Sequence, residues 1–480
     1  MAGMVEAAIR ATINKGLTTI ATFNRAHATN HAGDHPYLKG IHAPMSEEFT
    51  LQDLPITGRL PETLDGRYVR IGPNPVQPPN PARYHWFTGD GMVHGIRIAN
   101  GRAQWYRNRW VRTTAVSQAL GETPAPGPRL AEIAVNTNVI GHAGKFFALV
   151  EAGGTPVELN NTLDTVAHNP FEGTLRGAFS AHPHRDPDSG ELHAICYRGA
   201  DLNAVHHVVV GTDGRVRREE PIVVNHGPSI HDCAITARFV LVFDLPVTFS
   251  MSAMLAGYTF PYRWNPDHPA RVGLLAREGR GEDIIWCDVD PCYVYHPCNA
   301  YDLEDGRLVV DVVVHNRNSH RDYRGPDGEI LKFERWTIDP ATRRVQRTVI
   351  DATPVEFPRM DDRRVGKPYR YAYSLRVPAG AANAIGDSRI LKYDLHAGTT
   401  EVHDFGAQKF PGEFVFIPRT QTAAEDEGWL IGLVVDMNTE TTELLLLDAQ
   451  DFTAPPVASV LLPHRIPPGF HGNWVPAGQQ

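Results

Sequence analysis

The chain has 480 residues, with 46 Lys and Arg against 55 Asp and Glu, and a formal net charge of −9. A composition 42% apolar and 21% charged excludes a disordered chain, and the mild acidity leaves no global electrostatic reason to bind nucleic acid. The five cysteines (Cys196, Cys233, Cys287, Cys292, Cys298) contain no CxxC and argue against a disulfide framework, which favours a reducing, cytoplasmic setting.

At the N-terminus, Val5, Ile9, Ile13, Leu17 and Ile20 recur at helical spacing. Residues 1–30 therefore read as an amphipathic segment, either packed on the protein's own body or lying on a membrane surface. No run approaches the ~20 apolar residues of a spanning helix, and the segment lacks the continuous apolar core of a signal peptide.

From about residue 50 the pattern is β. Short apolar runs alternate with turn signals at Asn100-Gly101, Asp213-Gly214, Asp305-Gly306 and Asp327-Gly328. Residues 208–218 and 300–315 read as complete hairpins. Runs 239–243, 308–314 and 444–447 are apolar on both faces and must be sandwiched inside a large β body. The stretch 249–260, with Met251, Met254, Leu255 and Tyr258, reads as a loop or short helix. No βαβ rhythm or low-complexity linker divides the chain, so residues 45–476 form one all-β domain. At roughly 60 residues per blade, a seven-bladed propeller uses this length.

Phosphate-cradling and nucleophile-elbow motifs are absent. Histidine is the outlier, at 23 residues. His182, His231, His296 and His471 sit beside apolar strands at gaps of 49, 65 and 175 residues, which are roughly one, one and three blade lengths. Inner strands of a propeller converge on an axis, where distant imidazoles can meet around a divalent metal. By composition alone His85, His94, His142, His226 and His464 compete on equal terms.

Six motifs decide among them. LDGRYVRIGPNP (64–75), HWFTGDGMVH (85–94), FSAHP (179–183), HDCAIT (231–236), HPCNA (296–300) and GFHGNW (469–474), in this order, resemble the carotenoid cleavage oxygenases. The resemblance implies a seven-bladed propeller under a dome of helices and loops, with non-haem Fe(2+) held by His182, His231, His296 and His471. It also implies that Glu151, Glu356 and Glu413 stand behind the ligands, and that Thr137 crowds an open iron position. An imidazole bound through one nitrogen needs an acceptor on the other, which gives those glutamates a physical purpose.

The implied reaction is cleavage of a C=C bond of a carotenoid or apocarotenoid, with O2 as co-substrate. Forming two carbonyls removes four electrons and O2 accepts four, so no external reductant is needed. Phe87, Trp110, Val150, Tyr295 and Phe357 are the expected substrate contacts. A polyene substrate comes from a membrane, so residues 249–260 and the N-terminal stripe are expected to form a docking patch, with the enzyme cytoplasmic or peripheral on the inner membrane. A lignostilbene-type dioxygenase is the alternative within the family. Its phenol-gripping Lys and Tyr align with Val150 and Trp110, which disfavours it. A non-oxygenative isomerase is disfavoured too. A metal-containing propeller scaffold without catalysis is the alternative of another class.

Overall fold

The structure is a computed structural model that describes residues 16–27, 35–199, 201–316, 324–325, 330–378 and 386–478. Among the described residues, seven antiparallel sheets are arranged as the blades of a propeller, with one further two-stranded ribbon. From the axis outward, the first blade runs Gly472–Pro476, Gly66–Pro73, Gly91–Ala99, Arg102–Trp110 and Thr50–Gln52. The C-terminal strand thus lies innermost beside N-terminal strands and closes the ring, with Arg70 opposite Gly472 and Gly66 opposite Pro476. A second seam lies in the seventh blade, where Ile56–Gly58 pairs with Ala458–Leu462.

The other inner strands are Asn138–His142, His184–Arg185, Cys233–Ile235, Tyr293–Asp302, Val355–Arg359 and Val415–Pro418, in blades two to seven. Turn chemistry sets the hairpins within blades. Asn100 and Gly101 have φ of 52° and 68°, the left-handed pair of a tight turn, and they join Gly91–Ala99 to Arg102–Trp110. The expected hairpins around Asp213-Gly214 and Asp305-Gly306 form, whereas Asp327-Gly328 lies outside the described residues.

Burial follows radial position. Leu308–His315, a second strand, is buried at every residue, whereas the outermost Arg344–Asp351 is largely exposed or half-buried. Each fully buried Val or Leu on such a strand contributes about 1.5–3 kcal/mol. The one acid in Leu308–His315, Asp311, is neutralised by both arms of Arg335 at 2.8 Å and accepts from Tyr369 Oη at 2.7 Å.

Long loops cover one end of the axis. They carry the helix Thr114–Leu120, capped by Thr113, and the helix Met251–Leu255, capped by Ser250. The latter lies between the two strands of the ribbon, Val247–Phe249 and Tyr262–Trp264. Residues 16–26 are helical and dock on this segment: Asn24 Nδ2 donates to Leu255 O at 2.7 Å and Arg25 Nε to Gly257 O at 3.1 Å. Ala21 is the residue buried in that contact, whereas Ile20 and Phe23 are 49% and 59% exposed. Val5, Ile9 and Ile13 lie outside the described residues. All five cysteines are buried and free.

Candidate metal centre

Every blade sends at least one of the expected groups to the axis. His182 precedes the inner strand of the third blade, His231 that of the fourth, and His471 that of the first, while His296 lies within the inner strand of the fifth. Glu356 and Glu413 come from the inner edges of the sixth and seventh blades. The second blade contributes Thr137, just before its inner strand, and Glu151, just after its second. The gap of 175 residues between His296 and His471 corresponds to the passage from the fifth blade through the sixth and seventh to the closing strand of the first.

One ring nitrogen of each of the four histidines lies within 4.8 Å of those of the others. Four nitrogens around one first-row ion stand about 3 to 4 Å apart, given bonds of about 2.1 Å. Three of the outer nitrogens are committed elsewhere. His231 Nδ1 donates to Glu151 Oε1 at 2.8 Å, His296 Nδ1 to Glu356 Oε2 at 2.6 Å, and His471 Nδ1 to Glu413 Oε1 at 3.1 Å. An ionised carboxylate only accepts, so each Nδ1 carries the proton and each Nε2 presents a lone pair. His231 Nε2 and His296 Nε2 are 3.2 Å apart, and the Nε2 of His182, a residue only 7% exposed, has no partner. Converging lone pairs with no proton to share are the donor set of a metal cation.

Glu356 and Glu413 are held ionised. Burial pushes Glu356 up, but the charge and hydrogen bonds of His296 and His315 outweigh it and leave it well below the usual carboxylate range. Burial likewise raises Glu413, and His471, Arg359 and the Gly472 amide bring it down to about 2. Burial, then the other imidazoles, pushes His182 well below its ordinary value, so it is neutral. Two residues beside these carboxylates carry backbone strain. Ala152 follows Glu151 at φ 61°, and Phe357 follows Glu356 at φ 52°. Each costs on the order of 1–3 kcal/mol and is retained where the site is built. At Phe357 the conformation accompanies a stack on His296, with ring centroids 5.3 Å apart at 26°.

A cavity of about 470 Å³ under the loop cap ends on His231, His296 and His471. Phe87, Val150, Tyr295 and Phe357 line it, with Thr137 in the wall. Trp110 does not. It is 4% exposed within the core of the first and seventh blades, and its Nε1 donates to Asn74 O at 2.8 Å. Its place at the end of Arg102–Trp110 turns it into the blade core. Phe249 and Phe260, expected on an outer patch, instead line the cavity, and Arg25 of the N-terminal helix lines it as well.

With this geometry in view, comparison with known proteins is specific. Residues 42–476 match the family described as retinal pigment epithelial membrane protein. A carotenoid cleavage oxygenase of Mycobacterium tuberculosis is 44% identical, the alignment covering 92% of this chain and 98% of that protein. The chain belongs to the carotenoid cleavage oxygenase family. Among solved structures, cobalt-substituted Synechocystis ACO superposes with a TM-score of 0.80 at 28% identity, covering 90% of this chain and 97% of that one. The lignostilbene dioxygenase of Pseudomonas brassicacearum gives 0.82 at 28%, covering 92% and 98%.

Two residues of this oxygenase's site escape sequence reasoning. His315 Nε2 donates to Glu356 Oε1 at 2.6 Å and the residue lines the cavity, yet it reads as the end of an apolar strand. Asp232, next to His231, accepts from His184 Nε2 at 2.8 Å and has its other oxygen 3.7 Å from His182 Nδ1. An Asp directly after one candidate ligand histidine was the available signal. The competing histidines have structural partners: His94 bonds Tyr106, His142 bonds Gly211 O, His226 bonds His268, and His464 stacks on Phe49. His85 accepts from the Phe87 amide.

Proposed function

We propose that this oxygenase binds Fe(2+) through His182, His231, His296 and His471 and uses O2 to split one C=C bond of a carotenoid or apocarotenoid into two carbonyl products. The observation that carries this is an apolar cavity ending on imidazoles of a four-histidine cluster whose outer nitrogens are largely fixed by buried carboxylates. The relatives' names support it. When bound, the iron supplies the one-electron chemistry that a spin-paired alkene lacks towards O2.

The chain's own residues set the rest. Glu151, Glu356 and Glu413 fix the orientation of their imidazoles and offset the dication's charge in a dry site. Phe87, Tyr295, Phe357 and Val150 form walls with no charge to solvate, so a polyene slides until one bond stands beside the histidines. The Thr137 hydroxyl is spent on Asn136 Oδ1 at 3.0 Å, so it offers the substrate no free donor. It narrows the space next to His471, whose amide donates to Thr137 O.

The polyene is favoured over a stilbene by Val150. Among the described residues no Lys lines the cavity, and the Arg25 guanidinium that does is engaged by its Nε with Gly257 O. The substrate's source is a lipid surface. Ile20, Phe23 and Met251 are exposed on the helix and helical loop next to the cavity, and that position suits extraction of an apolar chain from a membrane.

The test is turnover of carotenoids and apocarotenals by the Fe(2+)-loaded protein in labelled O2, with carbonyl exchange controlled. Label in both fragments without added reductant is expected. Label in one fragment only, or cleavage of hydroxystilbenes with no polyene turned over, overturns the reading.

A further inference from the structure

The histidines close off a second cavity, of about 410 Å³, on the side away from the loop cap. The inner strands show the direction. Thr137 faces the first cavity and Asn138, Ile140 and Gly141 line the second; His231 faces the first and Asp232 the second; Asn473 to Pro476 follow His471 into the second. His182 lines this second cavity and not the first, and the cavity extends to exposed Arg185, Asp362 and Gln421. It is an axial channel from the metal centre to the opposite face of the propeller.

Its chemistry differs from that of the substrate cavity. Asn138, His184, Asp232, Glu413 and Asp362 offer oxygen and nitrogen donors along its length. The cation deep within it, Arg359, is paired with Glu413 at 3.5 Å and lies 3.8 Å from Asp362. An ion stripped of water without replacement ligands is strongly disfavoured, so the aromatic cavity is a poor path for it. The channel replaces water stepwise. The donor atoms of His184, Asp232 and Cys233 lie within 4.8 Å of one another. Asp232 spans the remaining distance, with one oxygen on His184 and the other 3.7 Å from His182.

We infer that the axial channel is the route by which the divalent metal reaches the four histidines in the folded protein, with the His184–Asp232 pair as the last station before transfer to His182. This rests on the reading of the four histidines as the metal centre. No bond or redox change is involved beyond ligand exchange: the ion trades water for Asp232 and His184, then these for the four imidazoles.

The test follows Co(2+) uptake by folded apoprotein, read as the rise of visible ligand-field absorbance in rapid mixing. Three variants separate the two approaches: Asp362→Lys at the channel mouth, His184→Leu at the station, and Val150→Trp as a plug in the substrate cavity. The expected result is uptake slowed at least about tenfold in Asp362→Lys and His184→Leu, with one cobalt per chain still bound at the end point. Val150→Trp should load at the unmodified rate. Slowing in Val150→Trp alone, or equal rates in all variants, overturns the route. Loading only when cobalt is present during refolding overturns it too, while leaving the metal centre intact. Absence of cobalt binding under every condition overturns the metal centre itself and the route with it.

Discussion

His315 Nε2 meets Glu356 Oε1 at 2.6 Å, as short as the bond that the same carboxylate makes to His296. Glu356 is therefore clamped between two imidazoles, one facing the metal position and one lining the cavity, with Tyr295 packed edge-on against His315 at 4.9 Å. His315→Phe removes the clamp and should weaken metal affinity on the order of 10-fold, as loss of an outer hydrogen bond does. His315→Gln, which retains a donor, should recover part of it. Competition with a metal chelator measures both, and equal affinities in the two variants would show that Glu356 needs no second partner.

Replacing His182, His231, His296 or His471 by Ala should abolish bound metal while the far-UV spectrum stays that of a β protein. His184→Ala, two residues from His182, should reach full occupancy at equilibrium. Metal analysis decides, and loss in His184→Ala with retention in His182→Ala would mean that the strand register is misassigned.

The three carboxylates should not be equivalent. Glu356 and Glu413 are 4% and 3% exposed with several donors each, whereas Glu151 is half-buried and shares its carboxylate between His231 and Tyr197. Glu→Gln variants should lower metal occupancy or turnover about 10–100-fold. The smallest effect is expected at Glu151, checked by metal analysis and steady-state rates.

Three buried imidazoles outside the metal centre couple folding to pH. Burial pushes His42 down to about 3 and His168 and His193 to about 4. They stay neutral in the folded protein while the unfolded chain takes up protons below about 6.5. Their contribution to stability is thus fully present above about pH 6.5 and is lost as pH falls from there towards about 4. The thermal midpoint should drop across this window, and His168→Gln should flatten the slope.

Ile20→Asp combined with Phe23→Asp should reduce co-sedimentation with liposomes, because both side chains are exposed beside the cavity. Neither is the residue that docks the helix, so thermal stability and turnover in detergent should hold. Unchanged liposome binding would place the membrane contact elsewhere.

Much of this was legible in the sequence. Runs apolar on both faces, such as 308–314, belong inside stacked blades, and the spacing of His182, His231 and His296 at about one blade each is a direct trace of the ring. The motifs selected these histidines over His94 and His226, which the structure pairs with neighbours instead. What stayed hidden depends on direction within a strand. Trp110 turns into a blade core because of its parity in Arg102–Trp110, which no composition reveals. His315 ends a strand of valines and gains its meaning only from Glu356, on the next blade. The left-handed backbone at Ala152 and Phe357 is invisible because neither is glycine. The N-terminal stripe marked a helix, but its apolar Ile20 stays exposed and Ala21, Asn24 and Arg25 make the contact.

The strand Gly472–Pro476 closes the ring and follows directly on His471. The fourth imidazole is therefore delivered by the strand that joins the first and last parts of the ring. A nascent chain still short of that strand offers three histidines and an open ring, a combination suited neither to hold an ion tightly nor to react with dioxygen. Closure of the ring is thus the condition for a complete four-histidine cluster.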